Sequence, residues 1–420
     1  MRAINTRQSC LAALWVLLCV FTSLPRISRA DTQPPAPIPP NPVFLIPCQY
    51  GDAGTISEGL ATVGVAGQIK LITATGQIIA DVPYSSVGLF AEGLAAVQRN
   101  GKYGFIDRTG KLVIPLQYDS VSAFAEGFAA VILANKTTFL DRTGKQALPG
   151  VFDAATNFSN GLAVVRVNDV LRVIDVTGRE VLKLNGKFAR PFTEELAAVS
   201  ALDATWGYID RTGREVIPPV YTKALSFTEG RAAVTFDAQK GPWGFIDPTG
   251  REVVPVEAGY RTVLSFSEGL AAVCSQKGDW GFIDRTGRLV IPLKYTAVSS
   301  FHEEVAAVQQ DGKWGYIDKQ GRLVTPAQFE AVRDFHENSA AVKMNGKWGY
   351  LLNPLAVDSN ELTRGLLITS KSTLVLVDTG SNTIHYTQDC PLIKGVLIPM
   401  RLAVALARAY HTCPQCAPHE

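Results

Sequence analysis

What is scarce in this sequence removes whole classes of protein. No charge of one sign accumulates. Across 420 residues, 40 Lys and Arg face 38 Asp and Glu, a formal net charge of +2. Four of those Arg lie in the first 30 residues, which hold no acid; without that segment, 36 basic and 38 acidic side chains remain. A polyanion-binding face is therefore not expected, and nucleic acid is not an expected partner. Charged residues make up only 19% and hydrophobic residues 47%, which excludes a disordered chain and leaves apolar mass for a core. The apolar run from Leu11 to Leu24 is about 14 residues, short of the ~20 that a membrane span needs. No second segment reads as a membrane span, so none is expected in the mature chain. No ten-residue window between 50 and 350 shows helical periodicity. There is no nucleophilic-Ser motif, phosphate loop or zinc-protease motif, so no catalytic residue is assigned and no enzyme is expected.

The N-terminus has the form of an export signal. Arg2 and Arg7 precede the apolar run, and Ser28-Arg29-Ala30 offers small residues at −3 and −1. Cleavage is expected after Ala30, which predicts a periplasmic or secreted protein. Leu18 before Cys19 is too bulky for a lipoprotein signal. Residues 31–42 hold six prolines in twelve residues, the composition of an extended, semi-rigid linker.

From there to residue 352 one motif repeats. Phe90-Ala-Glu-Gly-Leu-Ala-Ala-Val97 recurs from Phe124, Phe158, Phe192, Phe227, Phe266, Phe301 and Phe335, at spacings of 34, 34, 34, 35, 39, 35 and 34. Ile56-Ser-Glu-Gly59 begins a worn first copy. About ten residues after each Ala-Val comes a second signature, such as Trp206-Gly-Tyr-Ile-Asp-Arg-Thr-Gly213 or Trp280-Gly-Phe-Ile-Asp-Arg-Thr-Gly287. Every Trp outside the signal segment sits in such a Trp-Gly pair. These residues resemble the bacterial WG-repeat family over roughly residues 43–352. The resemblance implies a tandem β-repeat array and carries no general activity with it.

The residues support β structure independently. Leu-Ala-Ala-Val is short and apolar, and Trp-Gly-Phe/Tyr-Ile-Asp alternates with β-formers. Asp-Arg-Thr-Gly suits a type I turn closed by a residue at positive φ. Pro115, Pro218, Pro255, Pro292 and Pro326 are expected to end the third strand, because Pro donates nothing to a ladder. The fold class predicted is all-β: tandem ~34-residue three-stranded units stacked on their neighbours in a propeller-like or superhelical array, plus a small C-terminal α+β metal-type module. Ile46-Pro-Cys-Gln-Tyr50 matches Ile114-Pro-Leu-Gln-Tyr118, two periods later. The chain thus enters on the last strand of a unit and leaves on the first strands of one. Eight full copies and one split copy would close a ring if the halves met; a solenoid truncated at both ends would look the same.

Recurrence argues for structural roles. The repeated Phe, Ala-Ala-Val, Trp and Ile read as shared core, and Gly after Trp admits a close backbone approach. The repeated Asp (Asp107, Asp141, Asp175, Asp210, Asp247, Asp284, Asp318) reads as a turn residue. The repeated Glu (Glu92, Glu126, Glu194, Glu229, Glu268, Glu303, Glu337) is expected to serve its own turn. Catalysis needs one asymmetric constellation, which an identical residue in every repeat does not supply.

After Leu352 the period stops. Residues 353–372 read as a linker and 373–420 as a Cys/His module. Leu374-Val-Leu-Val-Asp, then Thr379-Gly-Ser-Asn, then Thr383-Ile-His-Tyr-Thr reads as a hairpin, and Arg401 to Tyr410 as a short helix. Cys413-Pro-Gln-Cys416, Cys390 and His385 make a Cys₃His set that suits one structural Zn²⁺. His411 is a rival fourth ligand. Disulfides among Cys390, Cys413 and Cys416, or free thiols, are the alternatives. The tail resembles the small Ada-like metal-binding module in its hairpin–Cys–helix–Tyr-x-x-Cys-x-x-Cys order. It departs from that pattern at Tyr386, where the His variant would place its ligand. Cys48 and Cys274 are isolated and expected to be buried. The function expected is an exported cell-envelope binding or scaffold protein whose repeat surface takes a protein, peptide or glycan. The alternatives are an accessory subunit or a nucleic-acid-binding protein acting through the tail. Oligomeric state is left open.

Overall fold

A computed structural model describes residues 42–237 and 241–355, and four short tail strands, Leu374–Asp378, Thr383–His385, Leu397–Arg401 and His411–Thr412. Each repeat folds into an antiparallel sheet whose strands follow chain order, and nine such sheets succeed one another in a propeller-like arrangement. The seventh blade is representative: Thr262–Val263, Leu270–Cys274, Trp280–Asp284 and Leu289–Tyr295. The blades are four-stranded, a correction to the three-stranded unit expected. The missed strand spans only two residues in most blades and lies just before the repeated Phe, too short to leave a period in the sequence. The third blade has three strands, with its last edge reduced to single bridges at Thr137–Phe152 and Leu140–Gln146.

The split copy closes the ring. Phe44–Tyr50 pairs antiparallel with Lys347–Leu352 and supplies the fourth strand of the ninth blade. Ile46, Tyr50, Ala341 and Tyr350 then share one core with Ala53, Ile56, Ala61, Val63 and Ile72 of the first blade. That cluster is built like the internal one joining the fifth and sixth blades, where Tyr208, Ile217 and Tyr221 pack with Phe227, Ala232 and Val234. A single unit could not bury these side chains alone. Each fully buried Phe or Leu contributes roughly 1.5–3 kcal/mol of transfer free energy, and neighbouring blades share it.

The repeated aromatics join blade to blade. Phe282 meets Phe301 of the next blade edge to face at 4.9 Å, and Phe245 meets Phe266 at 5.0 Å. Where the first ring is Tyr, its buried hydroxyl donates across the same interface. Tyr208 reaches Leu225 O at 2.7 Å and Tyr316 reaches Arg333 O at 2.6 Å. At the closing interface, Tyr350 reaches Gly54 O at 2.8 Å. Burial raises the pKa of all three phenols, so each stays a proton donor.

Pro255 ends its strand, Glu252–Val254, as expected, but Pro115, Pro218, Pro292 and Pro326 do not. Leu112–Tyr118 and Leu289–Tyr295 run through Pro115 and Pro292. In each, the pairing skips: Tyr103–Tyr118 is followed by Phe105–Ile114, and Trp280–Tyr295 by Phe282–Ile291. The prolines sit in this wide bulge, where no ladder donor is needed. The bulge presses on the glycine of Trp-Gly. A Cβ on Gly104 would lie 2.4 Å from Ile114 O, one on Gly207 2.4 Å from Ile217 O, and one on Gly281 2.4 Å from Ile291 O. In the fourth blade, Arg172 stands at the glycine position. There the partner strand pairs without interruption from Leu171–Leu184 to Val173–Leu182.

The repeat region extends slightly further than expected. Asn353 is buried; its N–H donates to Asn338 O and its side-chain amide to Glu303 O, so the linker does not begin there. In the tail, Leu374–Asp378 and Thr383–His385 form the expected hairpin within a four-stranded sheet. Arg401, expected to start a helix, ends the strand Leu397–Arg401. The rest of that expected helix lies outside the described residues, as do residues 1–41.

Candidate functional site

The repeated acidic residues are fully engaged. Each Asp of Asp-Arg-Thr-Gly caps its own turn: Asp210 accepts from Thr212 N at 2.9 Å, Thr212 Oγ1 at 2.6 Å and Arg214 N at 3.1 Å. The Thr212 hydroxyl, first among the causes, holds the Asp210 carboxyl below the usual range. Thr143 and Thr286 do the same for Asp141 and Asp284. Gly213, at φ +83, closes the turn, and a side chain there would strike Leu182 of the preceding blade.

The repeated Glu serves the next blade's turn, not its own. Glu58 accepts from Gly93 N at 3.0 Å, Glu92 from Gly127 N at 3.0 Å, and Glu126 from Gly161 N at 2.9 Å. Glu194 clasps Gly230, Glu229 clasps Gly269, Glu268 clasps Glu303 and Glu304, and Glu303 clasps Asn338. Glu337 completes the circle by clasping Glu58 and Gly59. Basic residues brace several clasps: Arg108 on Glu58, Arg285 on Glu229 and Lys319 on Glu268. Burial works to raise the Glu229 pKa, but the Arg285 and Gly269 hydrogen bonds outweigh it and hold it low. One link differs. Asn160 replaces the carboxylate, and its amide donates to Phe192 O at 3.1 Å.

With the repeated residues so engaged, departures from the repeat mark the candidate site. A cavity of about 510 Å³ lies where the eighth, ninth and first blades meet, lined among others by Thr55, Ser299, His302, Trp314, Asp334 and His336. His302 and His336 follow the repeated Phe in the last two blades, where the others carry Ala91, Ala125, Ser159, Thr193, Thr228, Ser267 and Ser57. His336 Nδ1 lies 2.9 Å from Ile56 O, which accepts only; Nδ1 therefore carries the hydrogen and Nε2 is left for other contacts. Sequence reasoning missed this pair. The signal was present as two His in a column of small residues.

Of the tail residues expected to bind metal, Cys390, Cys413 and Cys416 lie outside the described residues. His385 ends the strand Thr383–His385. That strand pairs in parallel with His411–Thr412, matching Thr383 to His411 and Ile384 to Thr412. Parallel pairing sets His411 opposite Thr383 instead of His385. Cys274 is buried and Cys48 half-buried, both free; burial, first among the causes, pushes the Cys48 thiol up to about 11, which leaves it unreactive.

The sequence matches the family model described as WG containing repeat over residues 41–67, 71–103, 103–136, 138–170, 206–238, 243–278, 280–314 and 314–348. Residues 171–205 fall between matched segments yet complete the fourth blade and supply the first two strands of the fifth. No curated protein matches. Among solved structures, the chain is similar to the computationally designed Ika8 protein, with 16% identity and a TM-score of 0.42 over 74% of this chain and 99% of that one. It is also similar to a eukaryotic initiation factor (13%, TM-score 0.47, 66% and 87%) and to BamB from Moraxella catarrhalis (13%, TM-score 0.40, 73% and 99%). Likeness at this level says nothing about activity.

Proposed function

We propose that this chain, which belongs to the WG containing repeat family, is an exported cell-envelope scaffold whose propeller surface binds a protein, peptide or glycan. One observation carries the reading: the residues that recur are consumed in holding the ring. Asp caps turns, Glu clasps the next blade, and Trp and Phe pack between blades. Binding specificity then rests on positions that differ from blade to blade. The signal-like segment ending at Ala30 and the proline-rich linker support export. Among the described residues no helix is long and apolar enough to cross a membrane.

The tail adds a second element to this reading. Cys390, Cys413, Cys416 and His385 would hold one structural Zn²⁺, as a Cys₃His set that suits that ion. Zinc there would supply folding free energy to a short segment.

Fractionation with crosslinking tests the proposal. The expected result is a mature chain beginning at Asp31 in the envelope fraction, with surface positions of residues 43–352 crosslinked to one recurring partner. A cytoplasmic chain that keeps Met1 contradicts export. Crosslinks confined to residues 373–420 contradict the propeller surface as the binding element.

A further inference from the structure

We propose that the cavity where the eighth, ninth and first blades meet is a saccharide site, with Trp314 as its platform. The inference rests on the scaffold reading and names one ligand class for it. The argument begins with how each Trp is covered. Two residues before the repeated Phe, the fifth and ninth blades carry Arg190 and Arg333. Their guanidinium groups lie over Trp206 at 5.4 Å and Trp348 at 5.5 Å. The sixth and seventh blades carry Leu225 and Leu264 there, which join the core clusters holding Trp243 and Trp280. The eighth blade alone of these five carries a short residue, Ser299; Trp314 packs at the edge of its core cluster and its remaining surface lines the cavity, with no long side chain from position 299 over it.

The rest of the lining suits a ring rich in hydroxyl donors. His302 and Asp334 are exposed, and their side chains make no hydrogen bond or ion pair with the described residues. His336 offers Nε2, and Thr55 adds a hydroxyl. Acceptors beside an aromatic surface match a sugar, whose hydroxyls donate at the rim while its C–H face packs on the electron-rich ring. Arg333 also lines the cavity, but its guanidinium is engaged over Trp348, with Nε donating to Ala53 O at 2.8 Å and Asp52 3.9 Å away. It therefore does not turn the cavity into an anion site. Among the described residues no three His, Cys, Asp or Glu are placed to hold a metal ion, so the two His and Asp334 read as hydrogen-bonding groups. The volume lies within the range of small-molecule sites, about 300–1,000 Å³.

The test uses the full chain and two neutral probes, chitotriose and maltotriose, followed by titration calorimetry. Saturable binding of at least one is expected. Ser299→Arg copies the arrangement of Arg190 and Arg333, so it should cover Trp314 while keeping the fold, with a small fall in melting temperature from the lost Ser299 Oγ bonds to Ala307 N–H and Ser300 O. It should weaken binding by about tenfold or more, as should Trp314→Ala. Failure of both sugars to bind saturably, or equal binding by Ser299→Arg, overturns the site. If Ser299→Arg keeps the envelope crosslinks while neither sugar binds, the scaffold reading stands and the saccharide site falls.

Discussion

The Glu337 carboxylate accepts hydrogen bonds from the backbone N–H groups of Glu58 at 2.5 Å and Gly59 at 2.7 Å, across 279 and 278 residues of sequence. The same clasp joins residues 35 to 40 apart elsewhere, as between Glu92 and Gly127 or Glu229 and Gly269. The last blade treats the first as its successor.

Removing that clasp should loosen the closure. Glu337→Ala deletes two charge-assisted bonds at a partly solvated site, and a loss of about 1 kcal/mol is expected. Thermal melts of Glu337→Ala and Glu92→Ala check it. Both should melt below the parent, and an unchanged Glu337→Ala would mean that the seam bears no load.

The missing clasp should be repairable. Asn160→Glu places a carboxylate where the turn at Glu194 and Glu195 follows, with Arg211 donating to residue 160 O at 2.8 Å. A gain of about 0.5 kcal/mol or more in urea-unfolding free energy is expected. A lower midpoint would show that the Asn160–Phe192 bond is the better solution at that interface.

Gly281→Ala tests why Gly follows Trp. Its Cβ would meet Ile291 O at 2.4 Å, and backbone in a bulged strand cannot step aside cheaply. A cost of about 1–3 kcal/mol is expected. Arg172→Ala, at the same position of the fourth blade, where the partner strand pairs continuously from Leu184 to Leu182, should cost far less. Equal losses would contradict the bulge account.

Acid should unfasten the turns. The Asp141, Asp210 and Asp284 carboxyls are held low, first by their Thr hydroxyls. A carboxyl depressed in the folded state stabilises above its unfolded pKa of about 4, and that contribution is lost as pH falls through the folded value. Urea midpoints should stay level from about pH 7 to about pH 5 and fall below about pH 4. Asp210→Asn should lower the plateau and reduce the fall. A fall of the same size would place the acid sensitivity elsewhere.

Much of this was legible in the sequence. The period and the eight full copies follow from the repeated Phe and Trp-Gly signatures, and the Ile46–Tyr50 match revealed the split ninth copy and pointed to the strand that closes the ring. Three features were not legible, for physical reasons. The two-residue strand at Thr262–Val263 is shorter than any period. Glu229 finds its partner Gly269 in another repeat, and nothing local in sequence announces a contact 40 residues away. Proline was taken as a strand end, although Pro292 lies inside Leu289–Tyr295; a bulge that needs no donor cannot be told from a terminus by composition. The candidate site was legible only as an exception, where His302 and His336 break a column of small residues and Ser299 is the one short residue at its position among the five Trp-bearing blades.

Hydrogen exchange at Phe44–Tyr50 tests closure most directly. These amides should be as protected as those of Leu289–Tyr295, the equivalent strand of the seventh blade, because both close a four-stranded blade. Exchange of Phe44–Tyr50 at the rate of an exposed loop, with Leu289–Tyr295 still protected, would contradict the closed ring.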